Sequence, residues 1–159
     1  MSRLGVRHTS GDATLIDNGF FSPEPRYEVK FDGFYLSNSV KRVFVFNGIP
    51  TVDMTLSFEF PNTPSTEPAL QALHESGAEL RVRIENERGD LIATAQSPIK
   101  GWELHQSSTS MAFWHPALRD LQLPTSENCR LTVAVTHGPT NGAFLLVQPS
   151  FTGGGIVFP

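Results

Sequence analysis

The sequence predicts an all-β protein, an antiparallel β-sandwich of jelly-roll-like form with about nine strands and one short helix. Three observations support this fold class. Apolar and polar residues alternate along several short segments, turns containing Gly, Pro or Asn separate those segments, and phenylalanine is frequent, with 12 copies in 159 residues. Period-two alternation places apolar side chains on one face of a strand. Strands with one polar face are typical of antiparallel sheets, because the strands of parallel sheets are buried on both faces.

The strongest strand predictions come from four segments with this alternation. It is clearest in residues 51–60, where Val52, Met54, Leu56, Phe58 and Phe60 alternate with polar residues. The same pattern recurs in residues 26–32, 79–85 and 130–136. Each segment has one polar face, so we expect four strands that contact the core on one side only.

Five further segments predict weaker strands. Residues 42–46 are apolar on both faces, which favours a central position or a covering loop. Residues 91–95 follow a hairpin turn at 86–90, in which Gly89 is expected to supply the positive φ angle. Residues 101–104, 110–114 and 144–148 complete the count of about nine strands. Short strands at this spacing are typical of sandwiches and jelly rolls.

One helix is predicted between the strands at 51–60 and 79–85. Ser65 can cap its start, Leu70 and Leu73 share one face, and Gly77 ends it. Residues 116–121 predict a second, shorter helical turn. The helix is expected to bridge two strands and to close one end of the sandwich.

The organisation of the chain predicts a single domain over residues 1–159. Residues 1–20 are expected to form an irregular N-terminal segment. Residues 152–159, which contain three consecutive glycines, are expected to form a flexible tail after the last strand. No internal repeat suggests a second unit.

Charge and composition exclude several classes of partner. The formal net charge is −4 and the pI is about 5.7, which disfavours nucleic acid and anionic membranes. No apolar run approaches the roughly 20 residues of a membrane-spanning helix. The lone cysteine, Cys129, excludes an internal disulfide. The first residues contain no apolar signal core, so the chain is either cytosolic or the mature part of an exported protein.

The most suggestive binding residues lie between positions 100 and 119. They are both tryptophans of the chain, two histidines and an arginine: Trp102, His105, Trp114, His115 and Arg119. Exposed tryptophans beside hydrogen-bonding side chains form platforms on which sugar rings or peptides stack. The competing interpretation is that both tryptophans belong to the core, where most tryptophans of small domains lie.

No catalytic, metal or cofactor site is predicted. Ser97 and Lys100 have the spacing of a serine–lysine pair, but strands flank them and a proline separates them, so a loop is the better interpretation. The histidines form no zinc-binding spacing. A metal or enzyme site would require His105 and His115 to meet a group such as Glu103, Asp120 or Cys129. The turn at 85–90 lacks the residue order of a calcium loop.

The order of these patterns resembles a family of short bacterial lipoproteins of unknown function. The resemblance rests on the alternating strand at 52–60, the leucine-bearing helix at 70–73, and the strands at 80–84 and 131–135. It implies a β-sandwich and favours the periplasm or cell envelope over the cytoplasm. It implies no activity.

The leading functional hypothesis is a non-catalytic binding module whose partner is a protein or a carbohydrate. The alternatives are a jelly-roll-like hydrolase or metal-dependent enzyme, and a structural subunit of an envelope assembly. A sandwich without a cluster of titratable residues usually works through its surface or its strand edges. Oligomeric state stays open, since the apolar strand at 43–46 would also suit an interface between subunits.

Overall fold

Two β-sheets make up most of the computed structural model, which describes residues 7–8, 12–16, 26–37, 40–49, 52–106, 110–138 and 145–154. The elements in chain order are β1 (Arg7–His8), β2 (Asp12–Ile16), β3 (Arg26–Lys30), β4 (Phe34–Tyr35), β5 (Lys41–Asn47), β6 (Met54–Pro61), α1 (Thr66–Glu75), β7 (Glu79–Glu85), β8 (Leu91–Pro98), β9 (Glu103–Gln106), β10 (Ser110–Trp114), β11 (Cys129–Thr136) and β12 (Leu146–Gly154). Short 3₁₀ turns occupy Ile99–Gly101 and Pro116–Leu118.

The strands form an antiparallel β-sandwich, as the alternation predicted. Sheet I has five strands in the order β1-β5-β11-β7-β8. Sheet II has seven, in the order β2-β3-β12-β6-β10-β9, with β4 pairing to β12 beside β3. Helix α1 connects β6 of sheet II to β7 of sheet I, so it crosses from one sheet to the other as expected.

Phenylalanines fill the space between the two sheets. Phe46 of sheet I lies 5.5 Å from Phe151 and 5.5 Å from Phe31, both attached to sheet II, measured between ring centroids. Phe31 and Phe151 meet edge to face at 5.9 Å. Tilted and edge-to-face contacts of this kind are the favoured geometries for aromatic rings. The phenylalanines in the described part of the chain are therefore buried in the core.

The predicted strands are confirmed with shifts at some ends. The hairpin at 86–90 forms as expected, with Gly89 at φ 84° and the Asn86 side-chain oxygen accepting from the N–H groups of Arg88 and Asp90. The strand predicted at 101–104 begins later, at Glu103, because a 3₁₀ turn ends at Gly101. The predicted turn at 116–121 is the 3₁₀ turn Pro116–Leu118. The structure describes twelve strands, including the two-residue β1 and β4.

Some residues near each end of the chain lie in strands that the sequence did not predict. The N-terminal segment 1–20, expected to be irregular, contains β1 and β2, which pair with β5 and β3. These strands are two and five residues long, too short for alternation to be visible. The last strand, β12, runs to Gly154 and therefore includes part of the predicted tail at 152–159. Residues 155–159 lie outside the described residues.

Helix α1 is confirmed, but its start is held differently. Leu70 and Leu73 are buried on its inner face, and Gly77 follows its end at φ 71°. The Ser65 side chain makes no capping bond. Instead the Thr66 hydroxyl donates to the Pro61 carbonyl at 2.6 Å, which ties the helix start to the end of β6. No helix within the described ranges is long and apolar enough to cross a membrane.

An irregularity beside β12 shapes the surface of sheet II. Between the pairs Lys30–Ser150 and Phe34–Val147, three residues of one strand (31–33) oppose two of the other (148–149). This is the residue count of a β-bulge. The N–H and C=O of a residue in an antiparallel strand point to the same neighbour, and the Pro149 carbonyl accepts from Phe31 N–H. The backbone nitrogen of Pro149, which has no hydrogen to donate, therefore faces the bulge, where the regular hydrogen bonding between the strands is already interrupted.

Cys129 at the start of β11 is 1% exposed. Its burial, together with the charges of Glu127 and Glu87, raises the pKa of the Cys129 thiol to about 11. Since the thiolate is the reactive form, we expect the folded protein to resist a thiol reagent at pH 8 and to react once unfolded in denaturant. A reagent that forms a coloured thiol product measures both rates, and rapid labelling of the folded chain would contradict the burial.

The same shift has a consequence for stability at high pH. The folded thiol ionises at a higher pH than the unfolded thiol. The contribution of the protonated Cys129 thiol to the free energy of unfolding is therefore complete below the pKa of the unfolded thiol. That contribution is lost as pH rises from about 9 toward 11. Cys129→Ala is the matched control, because it removes this part of the pH dependence and leaves that of all other groups.

Candidate functional site

The outer face of sheet II carries the most promising cluster of polar side chains. Register places two rows of outward-facing residues across four adjacent strands. One row contains Lys30 on β3, Ser150 on β12, Ser57 on β6 and Trp114 on β10; the other contains Gln148 on β12, Glu59 on β6 and Ala112 on β10. Directly paired residues of neighbouring strands project to the same side of a sheet. The two rows therefore bring together residues that are far apart in the sequence.

Lys30 bridges two carboxylates on this face. Its Nζ lies 3.0 Å from Glu28 Oε1 and 3.4 Å from Glu59 Oε2. Glu28 is a neighbour on β3, but Glu59 belongs to β6, so the bridge passes over β12, which lies between these strands. The cluster of one ammonium and two carboxylates has a formal charge of −1.

The position of Lys30 affects its protonation. Partial burial lowers the pKa of Lys30, but the hydrogen bond with Glu28 and the negative charges of Glu59 and Glu28 outweigh it. The pKa is therefore raised above its ordinary value. Lys30 consequently stays charged at neutral pH and acts as a hydrogen-bond donor, not as a general base.

An open cleft of about 310 Å³ lies over this cluster. Its lining combines the polar residues of the two rows with residues from the ends of β6, β10 and β12: Lys30, Glu59, Phe60, Pro61, Ser110, Leu146, Val147 and Gln148. Small-ligand sites have volumes of roughly 300–1,000 Å³ and combine apolar walls with a few polar groups. The volume of this cleft lies at the lower end of that range, and its lining offers an ammonium, a carboxylate and a side-chain amide.

Ser150 lies beneath this arrangement on β12. Its side chain is 0% exposed, and its Oγ makes no hydrogen bond within the described part of the chain. Ser150 pairs with Lys30 on one side and with Ser57 on the other. A buried hydroxyl without a partner is uncommon in native structures, so this unpartnered hydroxyl further marks the centre of the outer face as unusual.

Trp114 lies at one side of the cleft, on the same face. It is half-buried, and the Arg119 guanidinium carbon lies 5.6 Å from the centre of its ring. The segment carrying Arg119 returns to β6, where Asp120 N–H donates to Thr55 Oγ1 at 3.1 Å. Asp120 has a φ of 53°, a conformation that aspartate tolerates better than most side chains. This turn holds Arg119 beside Trp114 as a cation–π pair.

Tyr35 and Leu146 lie at the opposite side of the cleft. They are direct partners in the β4–β12 pairing, and they are 55% and 43% exposed. Three strand spacings separate β4 from β10, which corresponds to about 14 Å across the sheet. Tyr35 and Trp114 stand at diagonal corners of this face, in the rows of Leu146 and Ser150, and neither is among the described residues that line the cleft.

The five residues singled out from the sequence fall into two groups. Trp114 and Arg119 lie together on the outer face of sheet II, and His105 is exposed on the neighbouring edge strand, paired with Ala112. Trp102 and His115 belong to the core side. Trp102 is 5% exposed, contacts Phe58 and His115 edge-on, and donates from Nε1 to the Ser97 carbonyl at 3.1 Å. Trp102 therefore offers no face to a ligand, which agrees with the core interpretation of this residue.

His105 and His115 do not converge. His105 points to the outer face, whereas the His115 ring packs against Trp102 and its Nδ1 accepts from Ala117 N–H at 3.1 Å. Cys129 lies on sheet I, in the other layer of the sandwich. Within the described ranges, no three histidine, cysteine, aspartate or glutamate residues are close enough to hold a metal ion.

Comparisons with known proteins identify no family for the chain. No protein-family model matches the chain, and no curated protein is similar to it in sequence. Among solved structures, the chain is similar to TmCBM27, a carbohydrate-binding module described for its specific mannan recognition. The identity is 10%, the TM-score is 0.39, and the match covers 96% of this chain and 89% of that one. At this identity and score, the ligand of that module does not transfer to this chain.

Proposed function

We propose that the chain is a non-catalytic binding module that binds a neutral carbohydrate on the outer face of sheet II. The observation that carries the proposal is the open cleft lined by Lys30, Glu59 and Gln148, on a face that also carries two aromatic side chains, Tyr35 and Trp114. Sugars present apolar ring faces and many hydroxyl groups. Such a ligand requires stacking surfaces beside both donors and acceptors.

The polar groups of the cleft match hydroxyl groups in both directions. The Glu59 carboxylate only accepts hydrogen bonds, the Lys30 ammonium only donates them, and the Gln148 amide does both. Charge-assisted hydrogen bonds are stronger than neutral ones, so two of these three groups can hold a hydroxyl firmly.

Charge favours a neutral ligand over an acidic one. Among the described residues that line the cleft, Lys30 alone is basic, and two carboxylates already contact it. An added anionic group would lie next to a cluster whose formal charge is −1. Repulsion of this kind at short range disfavours uronic acids and sulfated sugars.

A location in the cell envelope, where polysaccharides are abundant, belongs to the same proposal and rests on the sequence resemblance alone. The alternative of a metal-dependent enzyme built on His105 and His115 gains no support, because these side chains point to different sides of sheet II.

Binding is best tested by isothermal titration with soluble neutral polysaccharides such as glucan, mannan and xylan. Trp114→Ala is expected to weaken binding by about tenfold or more, because truncation of an aromatic side chain on which a ligand stacks typically costs about 2 kcal/mol or more. Tyr35→Ala is expected to weaken it as well, and Gln148→Ala by a smaller factor because only a hydrogen bond is lost.

The chain supplies a matched control for the glutamine. Gln71 is exposed on α1, and among the described residues its side chain bonds to Glu75 of the same helix, so Gln71→Ala should leave affinity unchanged. Absence of binding to every neutral polysaccharide would overturn the proposal. So would binding that Trp114→Ala, Tyr35→Ala and Gln148→Ala all leave intact.

A further inference from the structure

The outer face of sheet I, on the opposite side of the sandwich, contains a shallow trough along β11. The floor consists of the small outward residues Thr132 and Ala134, which register places between β5 and β7. On the β5 side Thr132 pairs with Val43 and Ala134 with Lys41; on the β7 side they pair with Arg83 and Arg81. The two arginines on the β7 side and Lys41 on the β5 side are longer than the floor residues, whereas Val43 is no larger than Thr132.

Basic side chains dominate this trough. Arg81 and Arg83 form one wall, Lys41 stands on the other, and Arg130 lies at one end of the floor. All four are exposed. Arg83 pairs with Glu85 at 3.2 Å, and Arg81 donates to the Gln96 amide oxygen at 3.2 Å. Lys41 and Arg130 make no ion pair with any other described residue, so their charges are available.

The carboxylates of this face are confined to its margins. Glu79 and Glu85 are the first and last residues of β7, and neither occupies the two central rows that hold Arg81 and Arg83. Glu79 accepts from the Gln96 amide at 2.6 Å. The described residues of the face thus have four positive and two negative charges, although the whole chain has a net charge of −4. A locally positive face on an acidic protein is complementary to an anionic partner.

We propose that this trough is a second binding site, which takes a linear polysaccharide carrying carboxylate or sulfate groups. The two walls stand on β5 and β7, two strand spacings apart, or about 10 Å. That width accommodates one extended chain. Lys41, Arg81, Arg83 and Arg130 contact the anionic groups, and the Thr132 hydroxyl on the floor can bond to ring hydroxyls.

The chemistry of the trough favours a polysaccharide over nucleic acid. Single-stranded nucleic acids bind through aromatic side chains on which the bases stack, in addition to basic grooves. The described residues of this face include no aromatic side chain. The site is also distinct from the cleft on sheet II, whose negative cluster selects against anionic sugars. Its ligand class is therefore independent of the proposed neutral ligand.

The experiment uses the full chain and titrates it with polygalacturonate and with dextran sulfate, at low salt and at 0.5 M NaCl. Neutral dextran is the uncharged control polymer, and duplex and single-stranded DNA are the alternative polyanions. We expect at least one anionic polysaccharide to bind at low salt and to lose most of its affinity at high salt, since screening weakens exposed charge contacts. Tighter binding of either DNA than of both polysaccharides would overturn the proposal.

Substitutions test the location of the site. The triple variant Arg81→Gln, Arg83→Gln and Arg130→Gln is expected to weaken binding by about tenfold or more. Thr132→Glu places a carboxylate on the floor and is expected to weaken binding more than Thr132→Gln does, because the two variants have nearly the same size and differ in charge. Lys100→Gln is the control for charge, because Lys100 is exposed in the 3₁₀ turn outside the trough. Absence of binding to both anionic polysaccharides, or equal affinity of Thr132→Glu and Thr132→Gln, would refute the assignment.

Discussion

Replacing Trp102 with alanine is expected to lower the free energy of unfolding by about 3–5 kcal/mol, the usual cost of removing a large aromatic side chain from a core. Trp102 is 5% exposed, contacts Phe58 and His115 edge-on, and donates a hydrogen bond to the Ser97 carbonyl. The substitution removes all of these contacts and leaves a cavity. Because domains of this size have about 5–15 kcal/mol of stability in total, the variant should be severely destabilised.

Urea denaturation of the wild-type chain and three variants measures this effect. Trp102→Phe keeps most of the packing but leaves the Ser97 carbonyl without its partner, so we expect a loss of about 1–2 kcal/mol. Trp114→Ala is the matched control, since Trp114 is half-buried on the outer face. We expect this variant to lose much less stability than ligand affinity. A Trp102→Ala variant as stable as Trp114→Ala would contradict the placement of Trp102 in the core.

The sequence does not distinguish the outward-facing tryptophan from the buried one. Trp114 occupies an outward position of β10, and Trp102 follows a 3₁₀ turn that carries its side chain inward. Both stand next to polar residues in the sequence, so the neighbourhood alone does not separate them. The difference depends on the 3₁₀ turn Ile99–Gly101, whereas the sequence predicted a loop that ends before a strand starting at residue 101.

Most of the fold could be predicted because alternation is a local property. Residues 54–60 alternate between buried and half-buried side chains along β6, as the sequence indicated. Along β7 and β11, buried side chains alternate with half-buried or exposed ones. Helix α1 was also predictable, since Leu70 and Leu73 lie on the same face at helical spacing. The pairing order of the strands is a non-local property, and no pattern in the sequence indicates that β12 lies between β3 and β6.

That limit explains why the residues of the cleft were missed. Lys30, Glu59 and Gln148 lie on β3, β6 and β12 and are separated by 29 or more positions in the sequence. In the sequence, each of them looks like an ordinary polar residue on the solvent face of a strand. Only the strand order brings them together. The alternation in the sequence indicates which polar residues of a strand point outward. It does not indicate which outward residues of different strands are neighbours.

Gly153→Ala is expected to destabilise the protein by about 3 kcal/mol, at the upper end of the usual cost of overpacking. A Cβ on Gly153 would overlap the carbonyl oxygen of Asp53 and lie 2.5 Å from Met54 Sδ. The backbone at this point is held firmly, since Met54 donates to and accepts from Leu121 at 2.8 and 2.7 Å. The backbone of Asp53 and Met54 therefore cannot move aside without breaking the two hydrogen bonds between Met54 and Leu121. This glycine belongs to the stretch that the sequence indicated as a flexible tail, so the variant tests whether β12 extends through it.

Gly101→Ala is the matched control for Gly153→Ala. A Cβ on Gly101 would approach only Ser97 Oγ, at 2.8 Å, and a serine hydroxyl can rotate away. Gly153 and Gly101 both lack a positive φ angle, so backbone strain does not distinguish them. We expect Gly101→Ala to change the free energy of unfolding by less than about 1 kcal/mol, because Gly→Ala also reduces the entropy of the unfolded chain. If thermal and urea denaturation give the two variants equal stability, Gly153 is not packed against Asp53 and β12 ends before it, as a flexible tail would require.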